Sequence, residues 1–278
     1  MTYKGYTDPR YVTTVEELKA QLDDVVLIDV RAGEDYAGGH IEGAGHFDLY
    51  GLSLNDTADG PLDAFLWMMA TLFGFHGVDD DHPVVIYDHE SGERAARAVW
   101  FLDFFGHPDA RLLDGGLQAW QAAGLETTVS AMPGKRLDWR GARQADRLAT
   151  RFDVDAAIGD QDAILVDTRR ESEYRGTEKR ARRVGTIPGA VHIEWRRHLD
   201  ENGAFRPADE VRALYESLGV TPDKTVIPYC QGGYRSANTY LVLRMLGYPQ
   251  VRNYLGSWSE WGNRNDSTIV IPDKDCKP

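Results

Sequence analysis

Cys230 stands in the hexapeptide CQGGYR, residues 230 to 235, between an apolar run, TVIPY, and a helix-like stretch that opens at Ser236. The backbone N–H groups of Gln231, Gly232, Gly233, Tyr234 and Ser236 follow one another closely. Two adjacent glycines free to take positive φ would let them curl around a single atom. A helix N-terminus near Ser236 adds roughly half a positive charge, and Arg235 supplies a full one. All three favour a thiolate, which is the species that attacks, and they would equally cradle the extra sulfur of a persulfide. The alternative is a small buried hydrophobe at a strand end, a frequent fate of free cysteines. Such a residue requires neither Gly-Gly beside it nor an arginine five positions on.

A second cluster precedes the loop. Residues 169 to 183, RRESEYRGTEKRARR, hold seven Lys+Arg against three Glu. A charge run is commonly only a solvated face, but here its position carries information. Residues 1 to 130 carry 7 Lys+Arg against 23 Asp+Glu, whereas residues 131 to 278 carry 24 against 21. The half that holds Cys230 is therefore the half suited to receive a small anion.

The elements that must position these residues come from a duplication. VVIYDHESGERAARAVWFLDFFGHPDARLLDGGLQAW resembles TVIPYCQGGYRSANTYLVLRMLGYPQVRNYLGSWSEW, and Arg94/Arg235, Gly106/Gly247, Pro108/Pro249, Gly115/Gly256 and Trp120/Trp261 are each 141 apart. Upstream, VVLIDVRAGEDY resembles AILVDTRRESEY, matching Asp29 to Asp167. Each half reads as helix, buried strand, long loop, second buried strand, loop-to-helix segment and short strand. Short Val/Ile-rich runs alternating with helical patterns predict an α/β fold, each half a mainly parallel sheet with helices on both faces. The expected domains are residues 1–130 and 148–278, joined by a linker over 131–147. The same offset sets His89 opposite Cys230, so the first half is expected to be inactive.

Composition narrows the function further. At 278 residues and 42% hydrophobic, the chain is long enough for about two globular domains. A net charge of -13 argues against nucleic acid as a partner. The longest apolar stretch, DAFLWMMATLFGFHG, is too short to span a bilayer, and no signal-peptide pattern opens the chain, so a cytoplasmic protein with no membrane partner is expected. Two cysteines, Cys230 and Cys276, and eight histidines without ligand spacing give no metal site, and no nucleotide fingerprint follows a strand, so no cofactor is expected. Cys276, in the polar tail PDKDCKP, has no loop or helix to activate it and reads as a bystander.

The DxR strand ends at Asp29–Arg31 and Asp167–Arg169, HIEGA and TIPGA, YRGTEKRARRVGTIPGA, LDGGLQAW, the cysteine loop and GSWSEWG together resemble the tandem-domain sulfurtransferases of the rhodanese type. The resemblance covers nearly the whole chain. It implies two rhodanese-like domains, an inactive first and a catalytic second, with Cys230 moving sulfur from a small anionic donor to a thiophilic acceptor: cyanide, a thiol or a thioredoxin-like protein. It also implies a substrate-anion role for Arg175 and for Arg182 or Arg183, of which Arg182 is preferred, and a structural role for Arg169. Thiosulfate is the expected donor, with Arg235 binding substrate by adding positive charge where that dianion would dock, and 3-mercaptopyruvate is the alternative. Enzymes acting on the latter are similar to a loop bearing a hydroxyl where Gly232 stands, joined to a Ser-His-Asp arrangement, and no histidine accompanies Asp63 here. Two other readings are weaker. A cysteine phosphatase spaces Cys and Arg by five residues and not four, and a non-catalytic rhodanese-fold binding module would have no need of Cys230 and Arg235.

Overall fold

The computed structural model describes residues 3–272. Both halves open alike. Thr14 and Thr150 each accept from the amide three residues on, while Glu17 and Asp153 return the bond to the capping residue's own N–H, starting the helices Val15–Ala20 and Arg151–Ala157. These reciprocal caps are where ATRFDV and VTTVEEL, otherwise dissimilar, do the same work.

The first half builds a five-stranded parallel sheet from Val12–Thr13 (β1), Val26–Asp29 (β2), Gly45–His46 (β3), Val84–Tyr87 (β4) and Ala110–Leu113 (β5), ordered β1-β5-β4-β2-β3. Every residue of β4 is fully buried, as a central strand covered on both faces requires. The second half repeats this from Leu148–Ala149 (β6), Ala163–Asp167 (β7), Val191–His192 (β8), Thr225–Tyr229 (β9) and Asn253–Tyr254 (β10). Here β8-β7-β9 and β10-β6 are separate parallel ladders, bridged in parallel between Val226 and Val251, which restores the order β6-β10-β9-β7-β8. The two-residue strands β1, β3, β6 and β8 leave no periodicity to read, whereas β10, equally short, falls in the run VRNYLG that the repeat marks.

The halves share one core. The helix Glu93–Phe104 packs against its counterpart Arg235–Met245, and nearly every side chain of both is buried. Polar ties cross the seam: the Tyr240 hydroxyl donates to the Asp103 carboxylate at 2.7 Å, beside the first half's own Tyr11 hydroxyl at 3.0 Å, and Asn238 Nδ2 donates to the Ser91 carbonyl at 2.8 Å. Residues 129–144 have no regular structure but are fastened to the first half. Leu137 and Ala142 amides donate to the Gly74 and Phe105 carbonyls, and buried Trp139 donates to Asp80 at 2.8 Å. Among the described residues no helix is long and apolar enough to cross a membrane.

Candidate active site

Cys230 ends β9, and the turn after β10 holds its backbone: the Cys230 amide donates to Ser257 Oγ at 3.1 Å, while the Trp258 and Ser259 amides donate to the carbonyls of Cys230 and Gln231. Ser257 takes a left-handed φ of 49° to do so. The motif GSWSEWG is thus the outer rail of the cysteine loop. Only one of the two loop glycines needs its freedom: Gly233 has φ +82°, and a Cβ there would meet the Leu255 carbonyl at 2.9 Å. Gly232 has ordinary φ and room, its nearest neighbour being Ser53 Oγ of the first half at 3.4 Å. Gly233→Ala is therefore expected to lower stability by about 1–3 kcal/mol while Gly232→Ala stays near wild type, as read by chemical unfolding. Equal tolerance of both would contradict this loop geometry.

The Cys230 thiol is 1% exposed. Burial pushes it up, but the Arg235 charge, the Ser236 amide and hydroxyl, the latter 3.7 Å away, and the Gly232 amide together hold it below the ordinary thiol range. The helix Arg235–Met245 also directs its N-terminus at the sulfur. Of the expected cradle, Gly232 and Ser236 serve by their amides. The Gln231 side chain turns to Ser259 and the Arg180 carbonyl, and the Tyr234 hydroxyl crosses to the first half, bonding the Leu49 carbonyl at 2.8 Å and the Gly51 amide at 3.0 Å.

Cys230 opens into a cavity of about 690 Å³. Four arginines line it: Arg170, Arg180, Arg196 and Arg235. Arg235 is not open to a ligand as the sequence reading supposed, because its guanidinium holds both oxygens of buried Glu173 at 2.6 and 3.0 Å. It is an anchor for the loop and a nearby field on the sulfur. Arg175 and Arg182 do not line the cavity. Arg175 turns to Glu171 at 2.7 Å, while exposed Arg182 is held by its backbone amide to Asn263, and Arg183 is tied to the Ser267 and Trp261 carbonyls. Arg169 pairs with buried Asp167 at 2.5 Å and lies over the Trp258 ring. Arg170 and Arg180 belong to the basic run that the sequence singles out, though a single helical turn, Glu171–Tyr174, followed by irregular chain gives no spacing that says which side chains turn inward. Arg196, and Tyr50, Gly51 and Ser53 of the first half, carry no signal at all.

At the equivalent place in the first half, the loop closes on its own anion. The buried Asp88 carboxylate accepts from the His89 and Arg94 amides at 2.8 and 3.3 Å, and a Cβ on Gly92 would strike it at 2.6 Å. Burial raises that carboxyl to about 6. His89 points outward to Asp35.

A profile described as the Rhodanese-like domain matches residues 14–123 and again 150–264. The chain belongs to the rhodanese-like family. This rhodanese chain is 39% identical over 251 residues, 89% of its length and 92% of the other's, to a protein of Pseudomonas aeruginosa named thiosulfate sulfurtransferase. It is 36% identical over 278 residues, 93% and 96% of the two chains, to the sulfur carrier protein TtuD of Thermus thermophilus. The crystal structure of YnjE superposes with a TM-score of 0.81 at 25% identity, covering 95% of this chain and 69% of that one. The rhodanese fold thus accounts for both halves, as expected from the repeat.

Proposed function

We propose that this protein is a sulfurtransferase whose second domain, residues 148–278, carries sulfur on Cys230, while the first, residues 1–130, walls the site without reacting and 131–147 joins them. The observation that carries this reading is a buried cysteine, its thiol held down, at the floor of an arginine-lined cavity. In the proposed cycle the Cys230 thiolate attacks the outer sulfur of thiosulfate. A bond forms between the two sulfurs, the donor's own S–S bond breaks, and its electron pair leaves with sulfite. The loop amides and helix N-terminus stabilise the resulting persulfide anion. Cyanide or a thiolate then attacks the outer sulfur, and the electron pair of the broken bond returns to Cys230. A thiol-bearing protein is a fitting acceptor, since Tyr50 stands 56% exposed at the cavity mouth.

Thiosulfate is the preferred donor because Arg170 has no carboxylate partner among the described residues and a doubly charged anion would neutralise it together with Arg180. The hydroxyl-bearing arrangement suited to 3-mercaptopyruvate is less well supported, since Gly232 bears no hydroxyl and exposed Asp63 is paired with Arg143 in the linker. The test is kcat/KM for both donors in the native chain and in Arg170→Ala, Arg180→Ala and Arg182→Ala. Thiosulfate should be preferred, and loss of Arg170 or Arg180 should raise its KM about tenfold with Arg182→Ala within about twofold. A preference for 3-mercaptopyruvate would refute the donor assignment; a dominant effect at Arg182 would refute the cavity assignment.

A further inference from the structure

Arg97 is a charged side chain of the first half that the chemistry above leaves without a task. It lies on the helix Glu93–Phe104 and is fully buried, yet none of its three guanidinium nitrogens has a hydrogen-bond partner among the described residues. Its guanidinium carbon sits 3.9 Å from the ring centre of Tyr234, a member of the cysteine loop, and 5.0 Å from that of Phe101. A buried, unpaired cation is expensive, and a stack on one aromatic face offsets only part of the cost. Burial lowers the guanidinium to about 10, and a negative charge on Cys230 opposes this shift. The loop that Arg97 packs beneath is the one that carries Cys230, so the anion that could match it from that side is the Cys230 thiolate.

The remaining charges around the sulfur are matched or face solvent. Arg235 is paired with Glu173, Arg169 with Asp167 and Arg196 with Glu90. Arg180 lies 3.8 Å from Glu173, and exposed Arg170 lines the cavity together with half-buried Glu93, Glu178 and Glu194. On the first-half side Tyr234 is itself held neutral, its hydroxyl pushed up by burial.

From this juxtaposition we infer that Arg97 is a positioning residue donated by the inactive half: from beneath Tyr234 it holds the cysteine loop and offsets the negative charge that Cys230 acquires as thiolate and keeps as persulfide. The first half then contributes a buried counter-charge to chemistry performed in the second. This rests on Cys230 being the reactive group of the proposed function but not on the identity of any donor.

The test is the pH profile of Cys230 alkylation by iodoacetamide, followed by peptide mass, in the native chain and in Arg97→Met, Arg97→Gln and Arg97→Lys. Both neutral variants should move the profile up by about half a unit, roughly a threefold loss of thiolate on the acid limb. Arg97→Lys should return it most of the way. Their melting temperatures should stay level or rise, because an uncompensated buried charge has been removed. A merely structural residue would behave the other way, lowering the melting temperature and leaving the profile where it was. An unmoved profile in a folded neutral variant, or failure of both neutral variants to fold, would overturn the inference. Alkylation needs no sulfur donor, so a shifted profile in a chain that transfers no sulfur would sink the transfer reading and keep this one.

Discussion

Cys230→Ser should take up no sulfur. Exposed to thiosulfate, the native chain should gain the mass of one sulfur atom, removable by cyanide, and the variant should gain none, with turnover lower by at least about a thousandfold. The loss is this large because a hydroxyl at the same place is not ionised by the field that holds the Cys230 thiol down, and forms no sulfur–sulfur bond. The amides of Gly232 and Ser236 remain, but they only stabilise a charge and do not create the nucleophile. Cys276, which lies outside the described residues, supplies the control: Cys276→Ser should load as the native chain does. Sulfur uptake by Cys230→Ser, or its loss in Cys276→Ser, would move the nucleophile elsewhere.

Arg235→Met should cost about 3 kcal/mol of stability and also make Cys230 a weaker nucleophile, the second consequence being separable from the first. Arg235 and Glu173 form a buried pair, and removing one partner leaves the other as a charge without compensation. Although burial raises the Glu173 carboxyl, its bonds to Arg235 more than reverse this and hold it below the ordinary range. In the native chain that pairing therefore stabilises the fold at neutral pH, and the stabilisation is lost as pH falls through the folded value, below the ordinary carboxylate range. In Arg235→Met the sign inverts. Burial then dominates, the carboxyl rises, and the variant should gain stability as pH falls from 7 toward 5. Adding Glu173→Gln should restore most of the stability and none of the thiol acidity, because the cation beside Cys230 is still missing. Urea unfolding at two pH values together with the alkylation profile measures both effects; recovery of thiol acidity in the double variant would show that Arg235 acts on Cys230 only through the fold.

The seam between the halves shows what the first half contributes to the candidate site. Tyr50, Gly51 and Ser53 wall the cavity, and the Tyr234 hydroxyl is held by the Leu49 carbonyl and the Gly51 amide. The first half's own loop is closed by the Asp88 carboxylate, so its amides already have an anion. The equivalent place in the second half holds Tyr229, whose hydroxyl bonds Asp167 at the adjacent strand, leaving the loop amides for sulfur.

By itself the sequence determined the duplication, the parallel α/β halves and the family, and singled out Cys230 as the candidate nucleophile, because each is written in local pattern: a constant offset, buried strands of four or five residues, and a glycine-bearing loop between a strand and a helix. Direction of side chains was decided only by the tertiary structure. The basic run from 169 to 183 shows that anion-binding residues are near, but in a segment without helix or strand period nothing local distinguishes Arg170 and Arg180, which face the cavity, from Arg175 and Arg182, which do not. Arg235 reads as a free cation until folding sets Glu173, 62 residues away, against it. Arg97 reads as one more polar residue on a helix until the packing of the two halves buries it under Tyr234, 137 residues later in the chain. Charge is a property of the residue, but whether a charge is matched depends on contacts between distant segments, and those exist only once the halves have closed on each other.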